Sequence, residues 1–171
     1  NAIRFVMEHE GLTFPEAVRS LAKERGITIP EVGGRTREEE GRVEKIRRVL
    51  AFAQAFFVRA LASPEGQEAR AYLTGRGYPD EIARRFGLGY APASWDRLLL
   101  TAGKKGVTPG LLEDAGLALP GKEGRHYDRF RHRVTFPISD LQGRVLTFGA
   151  RALGEDDHPK YLNGPETLVF K

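Results

Sequence analysis

Residues 134–144 read Val134-Thr135-Phe136-Pro137-Ile138-Ser139-Asp140-Leu141-Gln142-Gly143-Arg144. Apolar side chains occupy every second position from Val134 to Ile138, which is the period of a β-strand with one buried face. Polar residues and a glycine then form a turn signal, and apolar residues return before Leu153. The stretch therefore predicts an antiparallel hairpin. Its first strand should be exposed or bulged at Pro137, because proline cannot donate to a strand ladder.

Helical patterns precede this hairpin. From about Arg42 to Leu61, apolar residues recur with the three- and four-residue spacing of a long amphipathic helix. Shorter helices are predicted at residues 64–75, 79–86, 95–102 and 109–115, the last two with Ser94 and Thr108 as N-caps. Extended pieces are predicted at 87–92 and 167–170. The predicted fold class is α+β, with a helical N-terminal part followed by a small antiparallel β-sheet.

The first segment has the pattern of a separate helical unit. Thr13-Phe14-Pro15-Glu16 is a capping box that opens a helix running towards Gly26, and another short helix precedes it. Residues 30–41 are polar and have no apolar period, as in a linker or a frayed helix start. The predicted domains are therefore residues 1–29, a linker at 30–41, and residues 42–171. Two short helices cannot bury their apolar stripes alone, so we expect the first unit to be loosely held.

Composition narrows the class of protein. The chain has 171 residues, 40% of them hydrophobic, which is enough for a folded core. It contains no cysteine, which excludes disulfides and thiolate metal sites within it and fits a reducing cytoplasm. No apolar run approaches the roughly 20 residues that span a bilayer. The start has neither an initiator Met nor a signal-peptide pattern, so we expect a chain cut from a longer protein.

Positive charge is concentrated in one stretch. The net charge is +4 and the sequence pI is near 9.5, which suggests a polyanionic partner. On an extended strand, Arg129, Arg131 and Arg133 would share one face at intervals of about 6.7 Å. That spacing is comparable with the phosphates of a stretched single strand, so the row predicts anion binding. The alternative is a solvated arginine row on an amphipathic strand.

Other candidate contacts are weaker on their own. Arg151, Lys160 and Asn163 supply donors suited to phosphates and base edges, and Arg76 lies between two glycines. Each has an ordinary alternative, as a surface side chain or a helix cap. We find no catalytic or metal-binding constellation: residues 156–158 are more simply a solvated loop, and three glutamates at 38–40 suit a helix start. The residues alone thus indicate a basic α+β domain that binds single-stranded nucleic acid.

Several motifs together resemble one family. They are Tyr127-Asp128-Arg129-Phe130-Arg131-His132-Arg133-Val134-Thr135-Phe136-Pro137-Ile138, Gly143-Arg144-Val145, Phe148-Gly149-Ala150-Arg151 and Pro159-Lys160-Tyr161-Leu162-Asn163-Gly164-Pro165-Glu166-Thr167, preceded by Tyr72-Leu73-Thr74-Gly75-Arg76-Gly77, Phe86-Gly87-Leu88-Gly89-Tyr90-Ala91-Pro92 and Trp95. Residues 42–171 are thereby similar to the N-terminal subdomain of the catalytic core of bacterial DNA primases. Ala150 and Gly164 depart from the family pattern, where Gly and Ser are usual, but both positions stay small.

The beginning of the chain has a resemblance of its own. Residues 1–8 and 14–18 look like the helical end of the zinc-binding domain of the same family. In that family the Cys and His ligands of Zn²⁺ lie just upstream. The resemblance implies that residues 1–29 are a remnant of the zinc-binding domain without its ligands.

The resemblance also implies a function. Bacterial primases are DNA-directed RNA polymerases that build short RNA primers on a single-stranded DNA template from ribonucleoside triphosphates during replication. Their Mg²⁺ or Mn²⁺ is held by a following Toprim domain, so it implies no catalytic or metal-binding residue in this chain and no activity of this chain alone. The implied partners are single-stranded DNA template and the RNA primer–DNA hybrid. The replicative helicase would contact a different, C-terminal domain. The implied location is the cytoplasmic bacterial replisome, with no membrane partner.

Six residues fall at positions that this family uses to hold the template or primer–template. They are Arg76, Arg129, Arg131, Arg151, Lys160 and Asn163. Arg133 is added from the predicted strand geometry rather than from the family.

Two other functions are consistent with the residues. One is a basic RNA-binding module of the translation apparatus, which would prefer folded RNA to single-stranded DNA. The other is a protein-interaction domain that docks a partner on Phe52, Phe56 and Phe57 of the long helix. That stripe is more simply explained as core.

Overall fold

The computed structural model describes residues 2–11, 14–27, 36–155 and 157–171. The chain divides into two compact units, Asn1–Thr36 and Arg37–Lys171. No helix in these described ranges is long and apolar enough to cross a membrane.

The first unit consists of α1 (Ala2–Glu10) and α2 (Phe14–Glu24). Ala17 and Ala22 are buried, whereas the Phe5 and Phe14 rings are exposed. A helix is confirmed where the capping box predicted one, although Thr13 itself lies outside the described residues. The predicted domain limits and the loose attachment of this unit stay predictions.

The second unit begins with α3 (Arg37–Ala62), five residues before the predicted start. Residues 37–41 therefore belong to the first turns of a helix. Acidic side chains in the first turn of a helix interact favourably with its dipole, and Glu38, Glu39 and Glu40 lie there. The helices that follow are α4 (Gln67–Gly75), α5 (Asp80–Arg85), α6 (Arg97–Gly103) and α7 (Pro109–Asp114).

The main sheet has four antiparallel strands in the order β1-β4-β5-β6. They are β1 (Gly89–Ala91), β4 (Arg133–Ser139), β5 (Val145–Ala152) and β6 (Tyr161–Asn163), while β2 (Ala118–Pro120) and β3 (His126–Asp128) form a separate pair. The predicted hairpin is confirmed as β4 and β5, with Thr135 opposite Ala150. The predicted bulge lies between Ile138 and Ser139, and β1 pairs with β4 only as far as Thr135, short of Pro137. The α+β class is thus confirmed.

The predicted strand at 167–170 is wrong. Thr167 instead closes a tight turn: its N–H donates to the Phe170 carbonyl, and its hydroxyl accepts from the N–H groups of Val169 and Phe170. A threonine side chain that binds nearby main chain competes with strand pairing.

The core lies between α3 and one face of the sheet. Phe57 packs edge-on against Phe148 and Phe130, with ring centres 5.3 and 6.4 Å apart. The close approach requires glycine at position 89, because a Cβ there would lie 2.5 Å from the Cβ of Phe57. Phe56 is buried as well and Phe52 packs against the same core. The phenylalanine stripe is therefore core and offers no docking surface.

The opposite face of the sheet packs against α4 and α5. Leu73 and Ala83 of these helices join Tyr90 and Val134 of the strands in a second apolar cluster. This packing places Tyr72 of α4 beside Arg151 of β5.

Candidate nucleic-acid interface

The arginines of the predicted row do not lie on one strand. β4 begins only at Arg133, and His132 has φ = 51°, a left-handed backbone conformation that interrupts an extended chain. Residues 129–132, which we call the strap, therefore connect β3 to β4 without strand structure. The predicted common face of Arg129, Arg131 and Arg133 is wrong, and tertiary contacts give each arginine a different environment.

Arg131 lies against two aromatic rings. Its guanidinium carbon is 4.2 Å from the centre of the Trp95 ring and 5.2 Å from that of Tyr127. The two rings meet edge-on at 5.6 Å. Trp95 stays 66% exposed despite these contacts. A planar cation on an indole face is a favourable cation–π pair, and it leaves an aromatic surface open to a ligand.

Asp128 holds this corner in place. Its carboxylate accepts hydrogen bonds from the N–H groups of Leu98 and Leu99 at 2.7 and 3.0 Å, and its own N–H donates to the Trp95 carbonyl. Asp128 thus caps α6 from a distant strand, in place of the predicted cap Ser94. Burial raises the pKa of Asp128 to about 6, although the two backbone hydrogen bonds oppose that shift.

Arg129 points to the far strand of the sheet. Its guanidinium donates to the carbonyl of Asn163, at the end of β6, over 3.0 Å. Burial lowers the pKa of Arg129, and its Nε has no hydrogen-bond partner among the described residues. A neutral carbonyl does not balance the positive charge of this half-buried guanidinium. An anion at the open end of the side chain would therefore be bound favourably.

Arg76 and Arg151 meet at one tyrosine. The guanidinium carbon of Arg151, on β5, is 4.3 Å from the Tyr72 ring centre, and that of Arg76, just after α4, is 5.4 Å away. Arg151 also donates to the Ala152 carbonyl. The Tyr72 ring therefore brings together two positive charges that are far apart in sequence.

The strand register adds β6 to the same surface. Arg151 is opposite Tyr161 and Gly149 is opposite Asn163, so these side chains share a face of the sheet. Glycine at position 149 leaves room for the Asn163 side chain, because a Cβ there would lie only 3.3 Å from the Asn163 amide oxygen. Tyr161 is 67% exposed. Lys160 is exposed next to it, and its carbonyl accepts from Ala152.

Arg133 has a different environment. It is only 5% exposed, and its guanidinium donates to the Pro159 carbonyl at 2.7 Å. Burial lowers its pKa, partly offset by Asp157. Arg133 thus links β4 to the loop after β5. Its predicted contact with DNA rested on a common strand face with Arg129 and Arg131, which the structure does not have.

The remaining predicted residues form one connected series of neighbours, which we call the arginine–aromatic surface. It runs through Arg76, Tyr72, Arg151, Tyr161, Asn163, Arg129, Arg131 and Trp95, with Lys160 beside Tyr161. Each member is joined to the next by a ring contact, a strand register or a hydrogen bond given above, or lies two residues from it in sequence. The surface alternates fixed cations with exposed aromatic faces, which is the chemistry of single-strand binding.

Sequence reasoning missed the aromatic members. Trp95, Tyr72 and Tyr161 were not predicted as site residues. The signal that could have found them is the presence of tyrosine or tryptophan beside each predicted arginine cluster, because arginines that hold nucleic acid often alternate with stacking rings.

No metal-binding cluster is found among the described residues. Across residues 2–11, 14–27, 36–155 and 157–171, no three His, Asp or Glu side chains are placed to hold a metal ion. The chain also has no cysteine. The side chains in these ranges therefore do not fit the Zn²⁺, Mg²⁺ or Mn²⁺ that the resemblance associates with neighbouring domains.

Comparison with known proteins gives consistent matches. The family model for the DNA primase catalytic core, N-terminal domain, matches residues 56–171. A DNA primase of Pseudomonas putida is 47% identical over 175 residues, covering 99% of this chain and 26% of the relative. The chain thus spans about a quarter of that protein.

Two solved structures share the fold. The DnaG primase catalytic domain bound to ssDNA has a TM-score of 0.72 at 41% identity, over 77% of this chain and 42% of that one. The RNA polymerase domain of Mycobacterium tuberculosis primase DnaG in complex with double-stranded DNA has a TM-score of 0.71 at 43% identity, over 75% and 41%. These matches favour the primase resemblance over a translation module. The chain belongs to the family of the N-terminal domain of the DNA primase catalytic core.

Proposed function

We propose that this chain is the template-binding part of a bacterial DNA primase, an enzyme that synthesises short RNA primers on single-stranded DNA. The observation that carries the proposal is the arginine–aromatic surface, in a chain whose structural relatives are described as bound to single-stranded and double-stranded DNA. Primer synthesis also requires ribonucleoside triphosphates and metal ions. Those would be bound by the Toprim domain of the parent protein, and the helicase by its C-terminal domain, both outside this chain.

The arginines hold the backbone. Arg129 and Arg151 are fixed by main-chain carbonyls, and Arg131 is fixed by the Trp95 ring. Pre-positioned guanidiniums lose little conformational entropy when they bind phosphate. Contacts to phosphates carry no sequence information, so the surface holds template of any sequence, as a polymerase requires.

The aromatic rings hold the bases. The exposed rings of Trp95 and Tyr161 offer two stacking positions on the same surface. Stacking is tolerant of sequence and contributes about 1–3 kcal/mol per base. Tyr72 has a different role, since its ring is already in contact with two guanidiniums: it orients Arg76 and Arg151.

The test is fluorescence anisotropy of a labelled single-stranded oligonucleotide at several salt concentrations. Wild type is compared with the triple variant Arg129→Ala/Arg131→Ala/Lys160→Ala. The matched control is Arg48→Ala/Lys104→Ala/Lys105→Ala, which removes the same charge from exposed positions outside the surface. For every phosphate that is no longer neutralised, the slope of log K against log salt should flatten by about 0.7.

The proposal predicts that only the first variant has a lower affinity and a flatter slope. Equal decreases in both triple variants would show a non-specific charge effect and contradict the assignment of this surface. A hairpin RNA competitor separates the proposal from an RNA-binding module, which would bind the hairpin more tightly than single-stranded DNA.

A further inference from the structure

His132 is bonded to carboxylates at both ring nitrogens. Its Nδ1 lies 2.9 Å from an oxygen of Asp157 and its Nε2 lies 3.1 Å from an oxygen of Glu68. We call these three residues the His132 bridge. A neutral imidazole has only one N–H, whereas the protonated ring donates from both nitrogens. Both contacts are therefore hydrogen bonds only when His132 carries its second proton.

Few other charged groups face the bridge. Tyr90 of β1 lies edge-on to the imidazole with ring centres 6.4 Å apart, and its pKa is raised by burial and then by Glu68, Glu65 and Asp157. Arg133 is the cation next in sequence, and its guanidinium is already bonded to the Pro159 carbonyl. Loss of the proton would thus leave two carboxylates against a ring with one donor.

The bridge joins three elements of the proposed site. Glu68 lies on α4 one turn before Tyr72, so it shares a helix with the ring that orients Arg76 and Arg151. His132 ends the strap, which carries Arg129 and Arg131. Asp157 lies in the loop after β5, three residues before Lys160.

Main-chain contacts make the strap sensitive to this bridge. The His132 N–H donates to Pro92 and its carbonyl accepts from Leu153, both at 3.2 Å. The same Asp157 oxygen that faces the imidazole also accepts from the N–H of Gly154 at 3.2 Å. Since His132 has a strained left-handed φ of 51°, its backbone conformation depends on these surrounding contacts.

We propose that His132 is a positioning residue for DNA binding: its protonated ring holds the strap, α4 and the loop after β5 in one arrangement, and single-stranded DNA binds more weakly once that proton is lost. The inference rests on the proposed function. With the second proton on the ring both carboxylates are bound; without it, one of the two elements is released.

The first experiment needs no DNA. In NMR spectra recorded from pH 5.5 to 8.5, the Gly154 amide shift should change with the same midpoint as the His132 ring proton, because both face one Asp157 oxygen. In His132→Gln that change should be absent. A Gly154 shift that is constant while His132 titrates, or that still titrates in His132→Gln, would overturn the bridge.

The second experiment measures affinity for a labelled single-stranded oligonucleotide at pH 6 and pH 8 and constant ionic strength. Wild type should bind about fivefold more weakly at pH 8, the size of one partly exposed ion pair. His132→Gln and Glu68→Gln should each vary by less than about twofold; Glu68 is exposed, so its variant should fold even if the histidine variant does not. Circular dichroism checks the fold.

Two further variants serve as matched controls. His126 has one carboxylate partner, Glu113 at 2.8 Å, which a neutral ring can satisfy. His158 is the histidine nearest Lys160 in sequence. His126→Gln and His158→Gln should both keep the pH dependence of wild type. Full pH dependence in a folded His132→Gln or Glu68→Gln would overturn the proposal. DNA binding that fails at every pH would overturn the proposed function and this inference with it, whereas binding that does not vary with pH would overturn the inference alone.

Discussion

The guanidinium of Arg131 lies 4.2 Å from the centre of the Trp95 ring, although one residue precedes α6 and the other follows β3. Asp128 produces this contact, because its side chain caps α6 and its N–H binds the Trp95 carbonyl. The pair combines a fixed cation with an open aromatic face at one end of the arginine–aromatic surface.

Replacing Trp95 tests whether its open face stacks on a base. Trp95→Ala should weaken binding of single-stranded DNA by about 1–3 kcal/mol, because the variant has no stacking ring, and Trp95→Phe should restore part of it. Trp95 is the only tryptophan of the chain, so its fluorescence should also be quenched by the oligonucleotide. Leu100→Ala, at an exposed apolar residue of α6, should bind like wild type; an equal weakening there would contradict a specific role for Trp95.

Variants of Tyr72 test whether its ring, rather than its hydroxyl, orients Arg76 and Arg151. Tyr72→Phe keeps the ring on which Arg76 and Arg151 lie, so DNA affinity should be unchanged. Tyr72→Leu keeps apolar volume but removes the π face, worth about 0.5–1 kcal/mol for each exposed cation, and should weaken binding several-fold at low salt. Anisotropy titrations of both variants give the comparison. Weakening in the Phe variant would mean that the hydroxyl, and not the ring, matters.

Asp128 should make the folded protein less stable as pH rises, the reverse of an aspartate whose pKa is lowered on folding. Its pKa is about 6 in the folded protein, against 3.8 for an ordinary aspartate, so the folded state binds the proton more tightly than the unfolded state. The free energy of unfolding therefore falls as pH rises from about 4 to 6, by about 2–3 kcal/mol at most. Relative to wild type, Asp128→Asn should gain stability over this range, measured by urea unfolding at each pH.

Asp140 is a control for Asp128, because its pKa is shifted in the opposite direction. Burial has the largest single effect on the pKa of Asp140 and raises it, but the hydrogen bonds from the Arg144 amide, the Arg144 guanidinium and the Gln142 amide together outweigh burial and lower the pKa. A lowered folded pKa contributes stability that is present above the unfolded pKa and lost as pH falls. Asp140→Asn should therefore lose stability relative to wild type as pH rises from about 3 to 5. The same trend in both variants would contradict the assigned environments.

Gly89 tests the packing of β1 against α3. In Gly89→Ala, the new Cβ would lie 2.5 Å from the Phe57 Cβ and 2.7 Å from the Thr135 hydroxyl, so overpacking should destabilise the protein by about 1–3 kcal/mol. Gly103→Ala, at the end of α6 with nothing within 4 Å, should be neutral or stabilising by up to about 1 kcal/mol. Thermal unfolding measures both. A Gly89→Ala variant as stable as wild type would contradict the close approach.

Primer synthesis by this chain alone should not occur. The proposed function assigns the metal ions to the Toprim domain of the parent protein, outside this chain, and phosphoryl transfer depends on such ions. Incubation with single-stranded DNA, Mg²⁺ or Mn²⁺ and radiolabelled ribonucleoside triphosphates should give no extended product. Labelled primers above background would contradict the division of roles between this chain and the rest of the protein.

The sequence by itself determined the main helices, the central hairpin and the family. The alternation at Val134–Ile138 and the turn signal at Asp140–Gly143 predicted β4 and β5, since strand period and turn chemistry are local properties. Helical periodicity predicted α3 but not its first five residues, because a polar first turn carries no apolar period. The motif series around Arg129, Arg151 and Lys160 was sufficient for the family resemblance.

Only the tertiary structure decided which residues meet. Local pattern favoured one extended arginine row, but the left-handed backbone at His132 interrupts it and Arg133 is buried by contact with the Pro159 carbonyl. Trp95 and Tyr72 joined the surface through contacts with arginines distant in sequence. Such contacts depend on how helices pack on the sheet, and residue order does not encode that packing locally. The same packing placed Glu68 and Asp157 on either side of His132.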